Sequence, residues 1–431
     1  MITFDRILPI TTDVLLTHRE VIAKLEWLLV NRDLNGRVRL IVPESAASAV
    51  GLREQIEAVY GELAERIKPH AHSPGSGILY ETSREDACQG ASAFPLDGVD
   101  KAWFVDRLAT ESRWESIADV SPGAPRIVFF SIKGGVGRST TLAASAWSLA
   151  MQGKRVLVLD LDLESPGLSS ALLPPERQPE YGITDWLVED LVDNGDSLLA
   201  DIYGTSDLPT SGSIHLVPAH GREIGEYVSK LGRCWMPKRN DRGTLESWSM
   251  RLKRLVDRLE VRHRADVILI DSRAGIDEVA AACVTDLGAH TVLMFAIQGQ
   301  QTWTGYRALF SYWRQRRDVI TKIRDRLQLV AGLVPDDERR LEYLTALRSD
   351  SYALFEDTYD EVKPGEISGW NFEEDDDVAP HSPLAVRWNR GWYGMMSLQQ
   401  RMVHVDQAEV KAVFGMLLDF LERAVGQGRS M

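Results

Sequence analysis

Ten consecutive residues carry the clearest chemistry in the chain: Ser131-Ile132-Lys133-Gly134-Gly135-Val136-Gly137-Arg138-Ser139-Thr140. The three glycines let backbone N–H groups converge on one point, and Ser139-Thr140 opens a helical pattern whose N-terminus adds partial positive charge. Such a nest suits the phosphate tail of a nucleoside triphosphate, with the Ser139 hydroxyl placed to ligate its Mg²⁺. An ordinary glycine-rich turn is the plainer alternative. It leaves the apolar strand before the loop and the helix after it unexplained.

Two positions depart from the common phosphate-loop pattern, which has glycine where Ile132 stands and lysine where Arg138 stands. Arginine keeps the charge and grips phosphate oxygens in pairs, so nucleotide binding is expected to survive. Its planar, bulkier head cannot sit between the β- and γ-phosphates as a lysine does. A displacement of about 1 Å costs roughly a hundredfold in rate for chemistry that relies on positioning. Tight binding with slow hydrolysis is the expectation.

Lys133, Gly134, Gly135, Gly137 and Ser139 together resemble the K-G-G-x-G-K-[ST] loop of the ParA/MinD group of ATPases, the deviant Walker A type. The likeness continues in Asp160-Leu161-Asp162 and in the segment from Asp266 to Gly275, where Arg273 stands at a usual proline position. It spans Arg126 to Val334, about half the chain, and the K-G-G-V-G-R loop suggests an arginine-bearing variant subfamily.

The resemblance implies roles position by position. Lys133 would reach the nucleotide of the facing subunit in an ATP-sandwich dimer. Arg138 would stand at the β/γ-phosphates, and Asp162 would orient the attacking water. Gly134, Gly135, Val136, Gly137, Arg138, Ser139 and Thr140 would cradle the phosphates; Ser139, Asp160 and Asp271 would serve Mg²⁺, the aspartates through its waters. A strand-end aspartate that merely caps the following turn is the ordinary alternative for Asp160. ATP over GTP rests on the resemblance alone. The strand Leu327–Val334 runs into Pro335-Asp336-Asp337, without the asparagine that commonly meets adenine.

These residues need a scaffold, and the apolar runs supply one. Ile127–Ile132, Val156–Leu161, Val267–Ile270, Thr291–Ile297 and Leu327–Val334 are short and nearly continuous, as in parallel strands buried on both faces. Helical stretches such as Thr140 to Gln152 separate several of them. The fold class expected is α/β: a doubly wound, mostly parallel P-loop NTPase sheet over residues 121–334, with its ligand at the carboxyl ends of the strands. Breakers at Ser121-Pro122-Gly123 set off a small α/β N-terminal domain, 1–120, read as regulatory or partner-docking. In it, Arg37 to Glu44 and Gly77 to Tyr80 read as strands. Val50 to Ile67 reads as one helix, and Val21, Ile22, Leu25 and Leu28 as another. Residues 335–431 read as a C-terminal extension packing on the core, ending in an amphipathic helix from Gln407 to Ala424.

At 431 residues, 44% hydrophobic and 26% charged, the chain has material for two or three soluble domains. No run reaches the ~18–20 apolar residues of a membrane span, and the start lacks a signal-peptide pattern. Cys88, Cys234 and Cys283 are few and scattered, which suits a reducing cytoplasm. The acidic residues Asp406, Glu409, Asp419 and Glu422 make the last helix a poor membrane anchor.

A net charge of −14 disfavours nucleic-acid binding by the whole surface. The stretch from Tyr306 to Arg326, read as one helix, carries Arg307, Arg314, Arg316, Arg317, Lys322, Arg324 and Arg326 against Asp318 and Asp325. That face would track nonspecific DNA or, more ordinarily, lie solvated. His220 and His381 have no partners at metal-ligand spacing, Cys283 reads as core, and Ser272 lacks a nucleophile elbow.

The function expected is an ATP-dependent switch: a homodimer closed by ATP and Mg²⁺, slow hydrolysis, and a protein partner on the N-terminal domain. A nucleotide-binding scaffold that never hydrolyses, and a positioning or assembly protein, are the alternatives.

Overall fold

Leu28–Arg32 is buried at every position. A segment covered on both faces must satisfy its backbone through neighbours on both sides, and it forms the central strand of a sheet. This corrects the helix read through Val21, Ile22, Leu25 and Leu28. Helix α1 (Phe4–Thr17) and one turn at Arg19–Ile22 end before Leu28, and β1 (Leu28–Arg32) follows. The computed structural model describes residues 2–89, 91–107, 114–208, 210–239, 243–361, 369–392, 398–404 and 406–427. They fall into two units, Met1–Glu111 and Ser112–Met431.

In the first unit β2 (Val38–Pro43), β3 (Ile78–Glu81), β4 (Ala93–Pro95) and β5 (Ala102–Asp106) join β1 in the order β3-β2-β1-β5-β4. β1 runs antiparallel to β2 and parallel to β5. Helix α2 (Leu52–Arg66) presents Ile56, Val59 and Leu63 to the face that also receives Ile7, Val14 and Leu15 of α1. Its apolar spacing is that of one helical stripe.

The second unit is built on eight strands: β6 (Arg126–Ser131), β7 (Arg155–Asp160), β8 (Gly204–Thr205), β9 (Ser213–Val217), and then, past a small hairpin of β10 (Lys238–Arg239) and β11 (Leu245–Glu246), β12 (Val267–Ala274), β13 (Thr291–Ala296), β14 (Leu327–Val334) and β15 (Leu384–Arg387). Their order is β15-β14-β13-β6-β12-β7-β9-β8, with only β8 antiparallel. Helices cover both faces. Leu142 and Trp147 of α3 (Arg138–Met151) share one core with Phe414, Leu417 and Leu421 of the last helix, Gln407–Gln427. On the other face Leu252 and Leu255 of α4 (Trp248–His263) join Phe310 and Trp313 of α5 (Gln300–Arg314). This is the doubly wound, mostly parallel P-loop NTPase fold.

Two local readings change. β15, within residues 335–431, is an edge strand of the same sheet, parallel to β14. The basic stretch read as one helix from Tyr306 to Arg326 is broken at Gln315-Arg316: α5 stops at Arg314, and a shorter helix runs from Arg317 to Ile323. Burial explains the break, because Arg316 is 6% exposed and the chain turns there to bury Val319 and Ile323. Among the described residues no helix is long and apolar enough to cross a membrane.

Candidate functional site

β6 ends at Ser131 between β12 and β13, and the chain turns there through residues 132–137 into α3. The turn needs its glycines: Gly135 and Gly137 have φ of 75° and 87°, the left-handed region where a side chain is strained. Val136, 1% exposed, pins the loop from beneath. Thr141 Oγ1 donates to the Gly137 carbonyl at 2.7 Å and fastens the first turn of α3. Above the loop lies a cavity of about 510 Å³, lined by residues 133–140 together with Ser131, Asp162, Ser165, Arg273 and Ala274. That size lies in the range of small-molecule sites.

Lys133, Gly134, Gly135, Val136, Gly137, Arg138, Ser139, Thr140 and Asp162 therefore share one cavity. Asp160 and Asp271, each 1% exposed, lie behind it at the paired ends of β7 and β12. Ser165 was not singled out by spacing, and for Arg273 and Ser131 spacing marked the segment but no contact. Only the topology brings Ser165 and Arg273 to the loop.

Arg138 is the centre of the charge arrangement. Its Nε donates to Asp271 Oδ1 at 2.6 Å, Nη1 to Ser131 Oγ at 3.1 Å and Nη2 to Asp162 Oδ2 at 3.3 Å. Burial disfavours the guanidinium's charge, but Asp271 and then Asp162 more than offset it, and its pKa is raised. Here the guanidinium engages the two carboxylates expected to serve metal and water.

Asp160 accepts from the backbone N–H of Asp162 at 3.3 Å and of Leu168 at 3.1 Å, so it closes the loop after β7. Burial first, and then the neighbouring Asp271, push its carboxyl up to about 8. Asp162 is also raised: burial outweighs the opposing pull of Arg138. Its Oδ1 is buried without a hydrogen-bond partner. An orphaned carboxylate oxygen beside an open cavity suits a donor or a cation arriving with a ligand. Ser139 lines the same space. A hydrated Mg²⁺, which keeps several waters and takes few protein ligands, fits such a donor set.

Arg273, in the position read as a usual proline, pairs with Glu164 at 2.6 Å and Asp277 at 3.4 Å. It links the segment after β7 to the segment after β12. Gly332 of β14 was also missed by the sequence reading: a Cβ there would lie 2.5 Å from the Val136 carbonyl oxygen. No spacing rule marks such a contact.

The basic stretch is largely consumed internally. Arg314 pairs with Asp357, Arg324 with Asp360 at 2.7 Å, and Arg326 donates to the carbonyls of Ala118 and Ala289. Tyr306, Phe310 and Trp313 form the buried face, as their spacing predicts.

A putative replication protein A of Sinorhizobium fredii (strain NBRC 101917 / NGR234) is 30% identical over 175 residues, 40% of this chain and 39% of that protein. The chain thus aligns with well under half of that relative's length. Among solved structures, pNOB8 ParA bound to nonspecific DNA is 19% identical, with 71% of this chain and 99% of that one covered and a TM-score of 0.43. The cobyrinic acid a,c-diamide synthase of Mycobacterium smegmatis, solved with an ATP analogue and magnesium, is 21% identical over 52% of this chain and 82% of that one, with a TM-score of 0.36. The profile of the CobQ/CobB/MinD/ParA nucleotide binding domain matches residues 127–401, which hold the loop, the paired aspartates and every strand from β7 to β15. The chain belongs to the CobQ/CobB/MinD/ParA nucleotide binding domain family.

Proposed function

We propose that this chain is an ATP-binding switch of the deviant Walker A type, in which nucleotide closes a dimer and hydrolysis is slow. The observation that carries the reading is the single cavity shared by the glycine-rich loop, Lys133, Ser139 and Asp162. Backbone N–H groups of residues 134–140 take the phosphate tail, aided by the N-terminus of α3. Lys133 extends to the nucleotide of a second subunit. Ser139, with Asp160 and Asp271 through waters, would hold Mg²⁺, which supplies positive charge to the phosphate oxygens. Asp162 orients water for attack.

Slow turnover follows from Arg138. To meet phosphate it must leave Asp271, which is buried, and Asp162, and each departure leaves a carboxylate without its cation. The same contacts favour a second reading, a scaffold that binds nucleotide and never hydrolyses it. Single-turnover hydrolysis at rising protein concentration separates the two, since a dimeric switch accelerates with concentration and a scaffold does not turn over.

Residues 1–120 are proposed as the partner-docking domain, 121–334 as the nucleotide core and 335–431 as the extension that completes its sheet and packing. Three unpaired cysteines agree with a cytoplasmic setting. Nonspecific DNA has little free basic face to use on the Arg314–Arg326 segment. An ATP-dependent, salt-sensitive shift of duplex DNA would reinstate it.

The primary test is light scattering of the nucleotide-free, ADP-bound and non-hydrolysable ATP-bound protein, alongside calorimetry with ATP and GTP at millimolar magnesium. A dimer confined to the ATP-analogue state is expected. A monomer in all three removes the switch, and absent heat with both nucleotides removes the site.

A further inference from the structure

Gly305 lies within the fifteen-residue helix α5, where glycine is about 1 kcal/mol less favourable than alanine. The reason for keeping it is across the helix surface. A Cβ on Gly305 would sit 2.4 Å from Ile132 Cγ2, and 3.2 and 3.3 Å from its Cγ1 and Cδ1. Real side chains do not approach that closely, so the missing methyl is the space Ile132 occupies.

Ile132 is one of the two residues by which the loop departs from the common pattern, with a branched side chain where glycine is usual. A branched residue at the mouth of a tight loop needs a fixed place for its side chain. The bare backbone of α5 provides it. The next helical residue adds a polar tie: Tyr306, fully buried, donates its hydroxyl to the Phe295 carbonyl at 2.8 Å, near the end of β13. The same hydroxyl also lies close to the Ile132 backbone, and the Tyr306 ring meets Phe130 of β6 edge-on at 6.0 Å. Side chain, backbone and preceding strand residue are thus all held from two adjacent positions on one helix.

We propose that Gly305 and Tyr306 are positioning residues that seat the phosphate loop through Ile132, so that α5 fixes the geometry of the backbone nest. The proposal rests on reading that nest as the nucleotide site. Neither residue reaches the cavity lining, and each acts through Ile132. Breaking a local helix preference at Gly305 is compensated by the loop it accommodates.

The test uses the full chain and four variants: Gly305→Ala, Ile132→Ala, the two combined, and Tyr306→Phe. Amide hydrogen exchange is followed in the nucleotide-free protein, and ATP affinity by calorimetry with magnesium. Gly305→Ala overpacks the contact and is expected to speed exchange of residues 132–137 and weaken ATP, each by about tenfold. Removing the isoleucine branches in the double variant is expected to restore both to within about threefold of wild type. A general loss of stability would instead speed exchange throughout the sheet and would not be rescued. Wild-type behaviour of Gly305→Ala, or failure of Ile132→Ala to rescue it, overturns the proposal. Should Gly305→Ala not fold, Tyr306→Phe decides: faster exchange at Ile132 with the sheet unchanged supports it, and unchanged exchange there overturns it. The exchange comparison needs no nucleotide. A wild type that binds no ATP would therefore end the functional reading while still testing the seat.

Discussion

Arg138 and Asp271 hold each other by a 2.6 Å hydrogen bond from Nε to Oδ1, in a place where they are 7% and 1% exposed. One is the last charged residue of the phosphate loop, and the other lies in β12, the strand beside it, opposite the last residue of β7. While they are joined, the Arg138 guanidinium is engaged by a carboxylate, although the residue lines the cavity. Any ligand that needs both must first part them. Arg138→Lys shortens the fork to a point charge that can reach either carboxylate or phosphate but does not bridge three partners. Turnover of ATP is expected to rise by about tenfold or more, as positioning effects of this size allow. Equal single-turnover rates in the two proteins would show that the arginine imposes no restraint.

The same pair makes a stability prediction. Arg138→Ala leaves Asp271 buried and uncompensated, at a cost of about 3–5 kcal/mol. Adding Asp271→Asn removes the stranded charge, and most of that loss should return. Urea midpoints of the single and double variants measure this. A double variant no more stable than Arg138→Ala would mean that the pair is not what holds these strands and this loop together.

Lys133 lines the cavity and has no hydrogen bond or ion pair to another described residue. A cation with no partner among the described residues suits a role across an interface. Lys133→Ala is expected to keep ATP affinity within about threefold of wild type and to remain a monomer with the non-hydrolysable analogue. Light scattering and calorimetry on the same samples report the two properties. Normal dimerisation would remove the proposed role.

Much of this arrangement is legible in the residues because its causes are local. A strand buried on both faces must be apolar along its length, and the five runs from Ile127 to Val334 are; they form the middle of the sheet. The loop announces itself through glycines that only φ above zero explains. Leu28-Leu29-Val30 misleads because a short apolar run fits a helix end or a strand equally well. The choice belongs to β2 and β5, far away in sequence. β15 escapes notice because four residues among turns carry almost no periodicity. Arg138 is the instructive case at the site. Spacing locates it at the loop but says nothing of Asp271 waiting 133 residues later. Gly305 and Gly332 are similarly mute, since what matters at each is the atom a side chain would strike.

Gly332 yields a prediction from that geometry. A methyl group there would lie 2.5 Å from the Val136 carbonyl oxygen, and backbone yields less readily than a side chain. Gly332→Ala should therefore push the loop away from the sheet, costing about 1–3 kcal/mol of stability. It should also weaken ATP, whereas a control such as Gly232→Ala, whose Cβ meets nothing within 4 Å and which lies outside the cavity lining, should leave the affinity at the wild-type value. Thermal unfolding and calorimetry on both variants make the comparison. A Gly332→Ala protein with wild-type stability would show that the loop gives way there without cost.

A pair of histidines at the far side of the sheet predicts acid sensitivity. His263, the last residue of α4, lies 4.4 Å from the His215 ring of β9, centroid to centroid, and 4.3 Å from the edge-on Tyr203. Burial, then His215 and Arg262, push the His263 pKa down to about 4, and burial lowers His215 as well. His263 Nε2 is buried without a hydrogen-bond partner. Both rings are neutral in the fold at pH values where the unfolded chain binds protons. The His263 contribution is therefore complete above about pH 6.5 and falls away as the pH drops toward 4, and His215 adds in the same direction. For His263 at pH 5 the loss is on the order of 1 kcal/mol once partial exposure is allowed for. Other groups titrate in the same window, so the informative quantity is a difference. His263→Phe keeps an aromatic ring and removes the titration, and its urea midpoint should fall less than that of wild type between pH 7.5 and 5. Parallel pH profiles for the two proteins would place the acid sensitivity elsewhere.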